Sequence, residues 1–198
     1  MLMNLFLVSL AYLSGSLCSA IIICRLLGLE DPRRGGSGNP GATNVLRLYG
    51  SRVAAFTLAG DVLKGIAPVL LAKFLQAPQI VIALCGLGAF FGHVYPLYFR
   101  FRGGKGVATF LGVLGATDWL LGLGFIITWS AVALVSRYSS LAAVIASVMT
   151  LLYTWLLTES PVYLLCNLCI VSALLWRHRS NLAKLLTGTE KKIGGKST

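Results

Sequence analysis

The feature that most constrains the fold is a series of long apolar runs separated by short polar connections. A helix needs roughly 20 apolar residues to cross a bilayer, and apolar residues make up 57% of this 198-residue chain. Charged residues make up only 12%, too few to cover the surface of a soluble domain. We therefore predict an all-α integral membrane protein with a single transmembrane domain over residues 1–198. The predicted spans cover about residues 5–27, 53–75, 80–99, 105–117, 119–135, 141–157 and 161–176.

The basic residues predict the orientation of these spans. If 105–117 crosses as a separate short span, 15 of the 17 Lys and Arg residues fall on one side, in the connections or at the adjoining span ends, and the other two, Lys64 and Lys73, lie within the second span. Merging that run with the next span would place Arg137 and the basic tail, which includes Lys196, outside. Lys and Arg concentrate in cytoplasmic loops. We therefore predict seven transmembrane helices with the N-terminus outside and the C-terminus cytoplasmic, and no nucleic-acid partner for the net charge of +11.

A glycine-rich segment, Gly36–Arg47, lies in the first basic connection and reads GSGNPGATNVLR. It contains a G-x-G-x-x-G pattern, but a dinucleotide site needs a preceding strand and none is predicted here. Glycines still allow successive backbone N–H groups to converge on an anion. Arg47 offers a planar fork suited to phosphate, and short polar side chains add donors at Ser37, Asn39, Thr43 and Asn44. The segment is interpreted as an anion cradle, with a plain flexible loop as the alternative.

Two further polar segments fall on the same predicted face. In the first, Gly103 and Gly104 lie beside Lys105, again permitting close backbone approach to phosphate. A P-loop is excluded because Phe99 stands where its first glycine is required. In the second, His178 and Asn181 are three residues apart and share a helical face, although a solvated helix end is an equal alternative. The predicted topology brings all three segments to the cytoplasmic membrane surface.

Two opposite charges, Asp61 and Lys64, lie inside the second predicted span. Such charges are unfavourable in hydrocarbon unless they pair. One interpretation is a local ion pair that fixes the helix. The other is a pair near the functional site that orients Arg47 or Lys105.

Several motifs in order then resemble one family over nearly the whole chain. They are GSGNPGATNVLR at 36–47, DVLKG at 61–65, GHVYP at 92–96, RGGKGVAT at 102–109, and RHRSNL with a later GTE within 177–190. This pattern is similar to that of the bacterial acyl-phosphate-dependent glycerol-3-phosphate 1-O-acyltransferases. The resemblance implies transfer of an acyl group from acyl phosphate to the sn-1 hydroxyl of glycerol 3-phosphate, giving lysophosphatidic acid and phosphate in phospholipid biosynthesis. The alternative function is a membrane transporter of a phosphorylated small molecule.

The resemblance also implies roles for individual residues, with no cofactor and no metal. The expected catalytic residues are Ser37, Arg47, Lys105 and His178. The expected substrate-binding residues are Gly38, Asn39, Gly41, Thr43, Asn44, Gly103, Gly104 and Asn181. Which cluster binds which phosphate is left open, as is the group that takes the hydroxyl proton, a phosphate oxygen of the substrate or His178.

The expected location is the bacterial cytoplasmic (inner) membrane, with the active site on its cytoplasmic face. The expected partners are acyl phosphate, glycerol 3-phosphate and membrane lipid, with the soluble acyl-phosphate-forming enzyme as a candidate protein contact.

Overall fold

The computed structural model describes residues 1–194, so Lys196 of the basic tail lies outside the described residues. Within this range the chain forms α-helices and short 3₁₀ turns, and none of these residues lies in a β-strand. The helices are α1 (Leu2–Gly15), α2 (Ser19–Leu26), α3 (Ala42–Tyr49), α4 (Ser51–Phe74), α5 (Gln79–Val94), α6 (Val107–Thr117), α7 (Trp119–Ser136), α8 (Ser139–Thr158) and α9 (Pro161–Leu186). They fall into two compact units, a first unit of residues 1–117 and a second that begins at Asp118. The predicted all-helical class is confirmed for the described chain.

The lengths of the helices match most of the predicted spans. Five helical segments of the described chain are long and apolar enough to cross a membrane: α4, α5 with its continuation to Phe99, α7, α8 and α9. The pair α1 and α2 is bent by 49° and counts as a sixth span if taken together. Helix α6 has only 11 residues, or roughly 16 Å at 1.5 Å per residue, against a hydrocarbon core of about 30 Å. The count of seven spans and the side of each terminus therefore stay predictions.

The helices of the first unit run in two directions. Helices α1 and α5 are parallel, since Gly88 packs on Val8 and Gly92 packs on Tyr12 farther along both helices. Helix α4 runs the opposite way, with Ala72 in the same apolar cluster as Leu7 near the start of α1. Small residues permit these close approaches, as is usual between helices in membranes.

Helix α6 runs parallel to the second half of α4. A Cβ on Gly65 would collide with the main-chain oxygen of Thr109, and one on Gly112 would collide with that of Val62. At the far end, Lys73 Nζ donates to the carbonyl oxygens of Ala116 and Thr117, at 3.0 Å each. These are last-turn carbonyls that lack helical donors. Lys73, one of the two lysines that fall outside the charge pattern, therefore caps α6.

The second unit is built of three helices joined by tight turns, and α8 packs against both α7 and α9. Asp118 caps α7 by accepting from the Leu120 N–H at 2.8 Å, and Ser160 caps α9 by accepting from that of Tyr163 at 3.3 Å. Helices α7 and α8 end at single left-handed residues, Arg137 (φ 62°) and Glu159 (φ 48°), which reverse the chain.

Part of the glycine-rich segment is helical, which the sequence interpretation did not predict. Gly41 precedes α3, whose eight residues include Thr43, Asn44 and Arg47. The apolar side of α3 packs into the first unit, where Val45 is fully buried in a cluster with Cys18, Ile21 and Ala54. Burial of that side fixes α3, because an isolated helix of this length is marginal in water.

Candidate functional site

Asn44 organises the glycine-rich loop that precedes α3. Its side chain is 1% exposed. Its Oδ1 accepts from the Ser37 N–H at 2.8 Å, and its Nδ2 donates to the carbonyls of Pro32 at 2.9 Å and Gly35 at 3.1 Å. Gly36 has φ +60°, and a Cβ there would collide with Asn44 Oδ1. The glycine is therefore required both by its left-handed conformation and by the space.

The other predicted residues of this loop are more accessible. Ser37, Gly38, Thr43 and Arg47 are exposed, and Asn39 and Gly41 are half-buried. Because Asn44 fixes the loop from beneath, these exposed groups lie on a defined backbone. The predicted anion-binding residues other than Asn44 thus lie at or near the surface of the first unit, and their role stays a prediction.

The second predicted segment lies directly on His93. The Gly104 N–H donates to the main-chain oxygen of His93 at 3.2 Å. A Cβ on Gly103 would collide with that same oxygen, and one on Gly104 would collide with His93 Nε2. Both glycines are buried and Lys105 is half-buried. Any larger residue would lift this loop away from the end of α5, so the paired glycines set its position.

The imidazole of His93 belongs to a buried charged network. Asp61 Oδ1 lies 2.9 Å from Lys64 Nζ and 3.6 Å from His93 Nδ1. Lys64 Nζ also donates to the main-chain oxygen of Leu17, in the break between α1 and α2, at 2.6 Å. Asp61, Lys64 and His93 are at most 6% exposed. The network joins α4, α5 and the α1–α2 break.

The expected ion pair between Asp61 and Lys64 is present, and sequence reasoning missed its third member, His93. Through His93 the pair is connected to the loop that carries Lys105. Orientation of Arg47 or Lys105 by this pair stays a prediction.

A second charged pair braces the start of the glycine-rich loop. Asp31 accepts from Arg33 Nε at 3.0 Å and from Nη2 at 2.6 Å, and the Arg33 Nη1 donates to the Phe99 carbonyl at 3.3 Å. The hydrogen bonds from Arg33 lower the pKa of the Asp31 carboxyl below its ordinary value. This pair therefore ties the turn at Pro32–Arg34 to the turn at Leu97–Phe99.

The third predicted segment lies in the second unit. His178 is 2% exposed and its Nδ1 lies 2.9 Å from the Leu174 carbonyl. Since a carbonyl only accepts, Nδ1 carries the proton and Nε2 is the ring atom that can accept one when the ring is neutral. Asn181 Nδ2 donates to Glu190 Oε1 at 2.8 Å, and Ser140 Oγ donates to the same oxygen at 2.6 Å.

Glu190 is thus a site candidate that sequence reasoning did not assign. Its only sequence signal was the GTE triplet at 188–190, whose glutamate lies nine residues beyond Asn181. The glycine-rich segment and the 103–105 segment contact other residues of the first unit. The segment with His178 and Asn181 contacts Ser140 and Glu190 of the second unit. Convergence of all three on one surface stays a prediction.

Comparison with known proteins gives consistent results. A family model described as glycerol-3-phosphate acyltransferase matches residues 5–188. A glycerol-3-phosphate acyltransferase of Halorhodospira halophila is 52% identical over 193 residues, covering 98% of both chains. One of Thioalkalivibrio sulfidiphilus is 51% identical over 188 residues, covering 94% of this chain and 92% of the relative.

Solved structures agree with these sequence matches. The crystal structure of PlsY, an integral membrane glycerol 3-phosphate acyltransferase, in its glycerol 3-phosphate form superposes with a TM-score of 0.92. It is 39% identical and covers 96% of each chain. The lysophosphatidic acid form gives a TM-score of 0.90 at 38% identity, covering 96% of this chain and 95% of that one.

Proposed function

The chain belongs to the glycerol-3-phosphate acyltransferase family, and from this premise we propose that its donor is an acyl phosphate and its acceptor is the sn-1 hydroxyl of glycerol 3-phosphate. The protein is a multi-pass membrane glycerol-3-phosphate acyltransferase. The product of the proposed reaction is lysophosphatidic acid. We further propose that residues 1–198 act as one acyltransferase domain in the bacterial inner membrane.

One observation supports the choice of donor: the first unit holds two glycine loops, one braced by the buried side chain of Asn44 and the other by the main-chain oxygen of the buried His93, and each is followed by a basic residue. Asn44 braces the loop before Arg47, and His93 braces the loop before Lys105. Two cradles suit a reaction in which both reactants carry phosphate. With an acyl thioester donor the leaving atom is sulfur, so no phosphate departs beside the acyl carbon and the second cradle would have no leaving group to hold.

The proposed chemical step is direct transfer. The sn-1 oxygen attacks the acyl carbonyl carbon, a new C–O ester bond forms, and the bond between the acyl carbon and the bridging phosphate oxygen breaks. The phosphate leaves with that electron pair, and a phosphate oxygen takes the hydroxyl proton. Lys105, with the backbone of Gly103 and Gly104, neutralises the departing phosphate, while Ser37 and Arg47 hold phosphate at the first loop. Positioning supplies most of the rate, because an acyl phosphate is already activated.

The remaining residues have supporting roles in this proposal. Backbone or side-chain groups of Gly38, Asn39, Gly41 and Thr43 bind substrate, and Asn44 positions the loop that carries them. His178 and Asn181 orient a substrate. His178 Nε2 is the rival acceptor for the hydroxyl proton; a His178→Gln enzyme with near-normal turnover would exclude that route.

The donor is tested with purified protein in detergent. Phosphate release should require both acyl phosphate and glycerol 3-phosphate, and acyl-CoA should not replace acyl phosphate. In product that is analysed immediately after quenching, the acyl group should be on the sn-1 oxygen of glycerol 3-phosphate. No release with both reactants present would favour a transporter of a phosphorylated molecule. A radiolabelled acyl group trapped on Ser37 would contradict direct transfer.

A matched pair of variants tests the first cradle. Arg47→Lys keeps the charge but loses the planar fork, so the KM for one phosphorylated substrate should rise by about tenfold or more. Arg52→Lys, at an exposed position near the start of α4, should leave the kinetics unchanged. Equal effects of both substitutions would remove Arg47 from the proposed site.

We also propose that residues 105–117 form the fourth of seven membrane crossings. The segment that contains Gly103 and Gly104, just before α6, would supply the remaining length of this crossing. Support comes from the parallel course of α4 and α6 and from Lys73, which links the ends of both helices. The N-terminus then lies outside and the glycine loops and C-terminus lie in the cytoplasm. This topology is tested with reporters fused at each terminus and with an accessible cysteine placed in the 35–47 segment. The N-terminus and the loop should lie on opposite sides of the membrane. The loop and the C-terminus should lie on the same side.

A further inference from the structure

An arginine-rich recess of about 460 Å³ lies in the first unit, beside both glycine loops. It shares no lining residue with the acyltransferase residues assigned above. The lining residues are Arg25, Asp31, Arg33, Arg34, Tyr98, Phe99, Arg100 and Arg102. Five arginines face one aspartate, a formal surplus of four positive charges around one hollow.

Most of this charge has no partner within the described chain. Arg33 forms an ion pair with Asp31, and the charge of the neighbouring Arg34 also acts on that carboxylate at longer range. The guanidinium groups of Arg25, Arg34, Arg100 and Arg102 make no hydrogen bond or ion pair with residues 1–194. Like charges gathered around one hollow repel each other, so an anion held among them would relieve that repulsion.

Local structure fixes the Arg33 side chain and the backbone of Arg100. Arg33 is fixed by Asp31 and by the Phe99 carbonyl. Arg100 and Phe101 are consecutive non-glycine residues in the left-handed region, with φ of 56° and 57°. Such conformations are uncommon and persist where surrounding structure imposes them. Here the Phe101 N–H donates to the Pro96 carbonyl at 2.9 Å.

The surroundings of the recess are apolar, unlike those of a site for a purely soluble anion. Leu26 and Leu27 follow Arg25 and are 80% and 55% exposed. Tyr98, in the lining, and Phe101, beside it in the chain, are 53% and 55% exposed. Arginine guanidinium groups with exposed aliphatic and aromatic neighbours are typical of the membrane interface, where lipid headgroups adjoin acyl chains.

We propose that this recess binds the phosphate of a membrane amphiphile, an anionic phospholipid headgroup, separately from the acyl-transfer site. Phosphate oxygens bridge the four unpaired guanidiniums, which suit bidentate phosphate recognition. The acyl chains of the amphiphile lie against the exposed leucines and aromatic rings. Free phosphate shares the headgroup chemistry but lacks the chains, so the two sources can be separated.

The test uses the full-length protein in detergent, without acyl phosphate, so its outcome is independent of the proposed donor. Native mass spectrometry follows binding of short-chain phosphatidylglycerol and of phosphatidylcholine with the same chains. We expect one phosphatidylglycerol per protein to bind in preference to phosphatidylcholine. The double variant Arg25→Gln/Arg34→Gln should weaken this binding by about tenfold or more, whereas Arg52→Gln should not.

Arg102→Gln gives an independent reading if the double variant fails to fold, and should also weaken binding. Inorganic phosphate should displace the lipid only at far higher concentration than phosphatidylglycerol itself. Three outcomes would each overturn the proposal: unchanged binding in the recess variants, equal binding of the zwitterionic lipid, or displacement by inorganic phosphate at the lipid's own concentration.

Discussion

The ammonium group of Lys64 donates a 2.6 Å hydrogen bond to the main-chain oxygen of Leu17, which lies 47 residues earlier in the chain. Leu17 lies in the break between α1 and α2. The same ammonium pairs with Asp61 at 2.9 Å. A cation inside a predicted span thus connects a helix break to an anion on its own helix, and through His93 to the Gly103–Gly104 loop.

Removal of one partner of this pair should be strongly destabilising. Asp61→Asn or Lys64→Met leaves an uncompensated buried charge, so each should lower the free energy of unfolding by about 3–5 kcal/mol. The double variant should lose less than the sum of the two, as measured by denaturant unfolding in detergent. Lys73→Met, which removes exposed capping bonds from the same helix, should lose about 1 kcal/mol. Additive losses in the double variant would contradict a coupled pair.

The contact between α4 and α6 predicts opposite effects for two glycines of one helix. Gly112→Ala would drive a methyl group into the backbone of Val62, whereas a Cβ on Gly115 meets nothing within 4 Å. Gly112→Ala should therefore cost about 1–3 kcal/mol of stability. Gly115→Ala should gain about 0.5–1 kcal/mol from helix propensity. Thermal unfolding of both variants checks this, and similar shifts would argue against the close approach of the two helices.

Asn44 should affect substrate affinity through the loop. In Asn44→Asp the acceptor to Ser37 remains, but the donors to Pro32 and Gly35 are lost. Each buried carbonyl left without its donor costs about 1–3 kcal/mol. We expect the KM for a phosphorylated substrate to rise about tenfold or more, and further in Asn44→Ala. Unaltered KM values with lowered stability alone would limit Asn44 to a folding role.

Glu190 should control activity through Asn181. Glu190→Gln keeps an oxygen that can accept from Asn181 and Ser140, while Glu190→Ala removes it. Glu190→Ala should lower kcat/KM by about tenfold or more and Glu190→Gln by much less. Ser140→Ala, which leaves the bond to Asn181 in place, provides the control. Steady-state assays of the three variants distinguish anchoring of Asn181 from a need for the negative charge.

The apolar helices could be predicted from the sequence, because a run of about 20 apolar residues can cross lipid only if its backbone groups are hydrogen-bonded within a helix or a closed barrel. Helix α3 could not be predicted from the sequence, because the apolar pattern of its eight residues is too short to distinguish a helix from a loop. Val45 shows the reason: its burial depends on Cys18, Ile21 and Ala54, which are distant in the chain.

The polar side chains were harder to assign than the helices. Asn44 and Asn39 look alike in sequence, yet Asn44 is buried against the backbone and Asn39 is half-buried. Lys64 and Lys73 lie within a predicted span and not in a basic connection. The Asp61 partner of Lys64 was predicted from sequence, but the carbonyl oxygens of Leu17 and Ala116, which accept from the two ammonium groups, were not. The amino-acid sequence does not show which main-chain carbonyl will accept a hydrogen bond from a distant side chain.

The eleven-residue helix α6 has a consequence for where the two reactants meet. Six of its residues are buried within the protein, so that, if it crosses as proposed, its contacts are mainly with other helices and not with lipid. The chain just before it, residues 102–106, is non-helical, and such backbone is tolerated at depth only when enclosed by protein or wetted. In the proposed topology, glycerol 3-phosphate would approach that segment from the cytoplasmic water and the acyl phosphate would approach it from the lipid, so that neither reactant would have to leave its own phase.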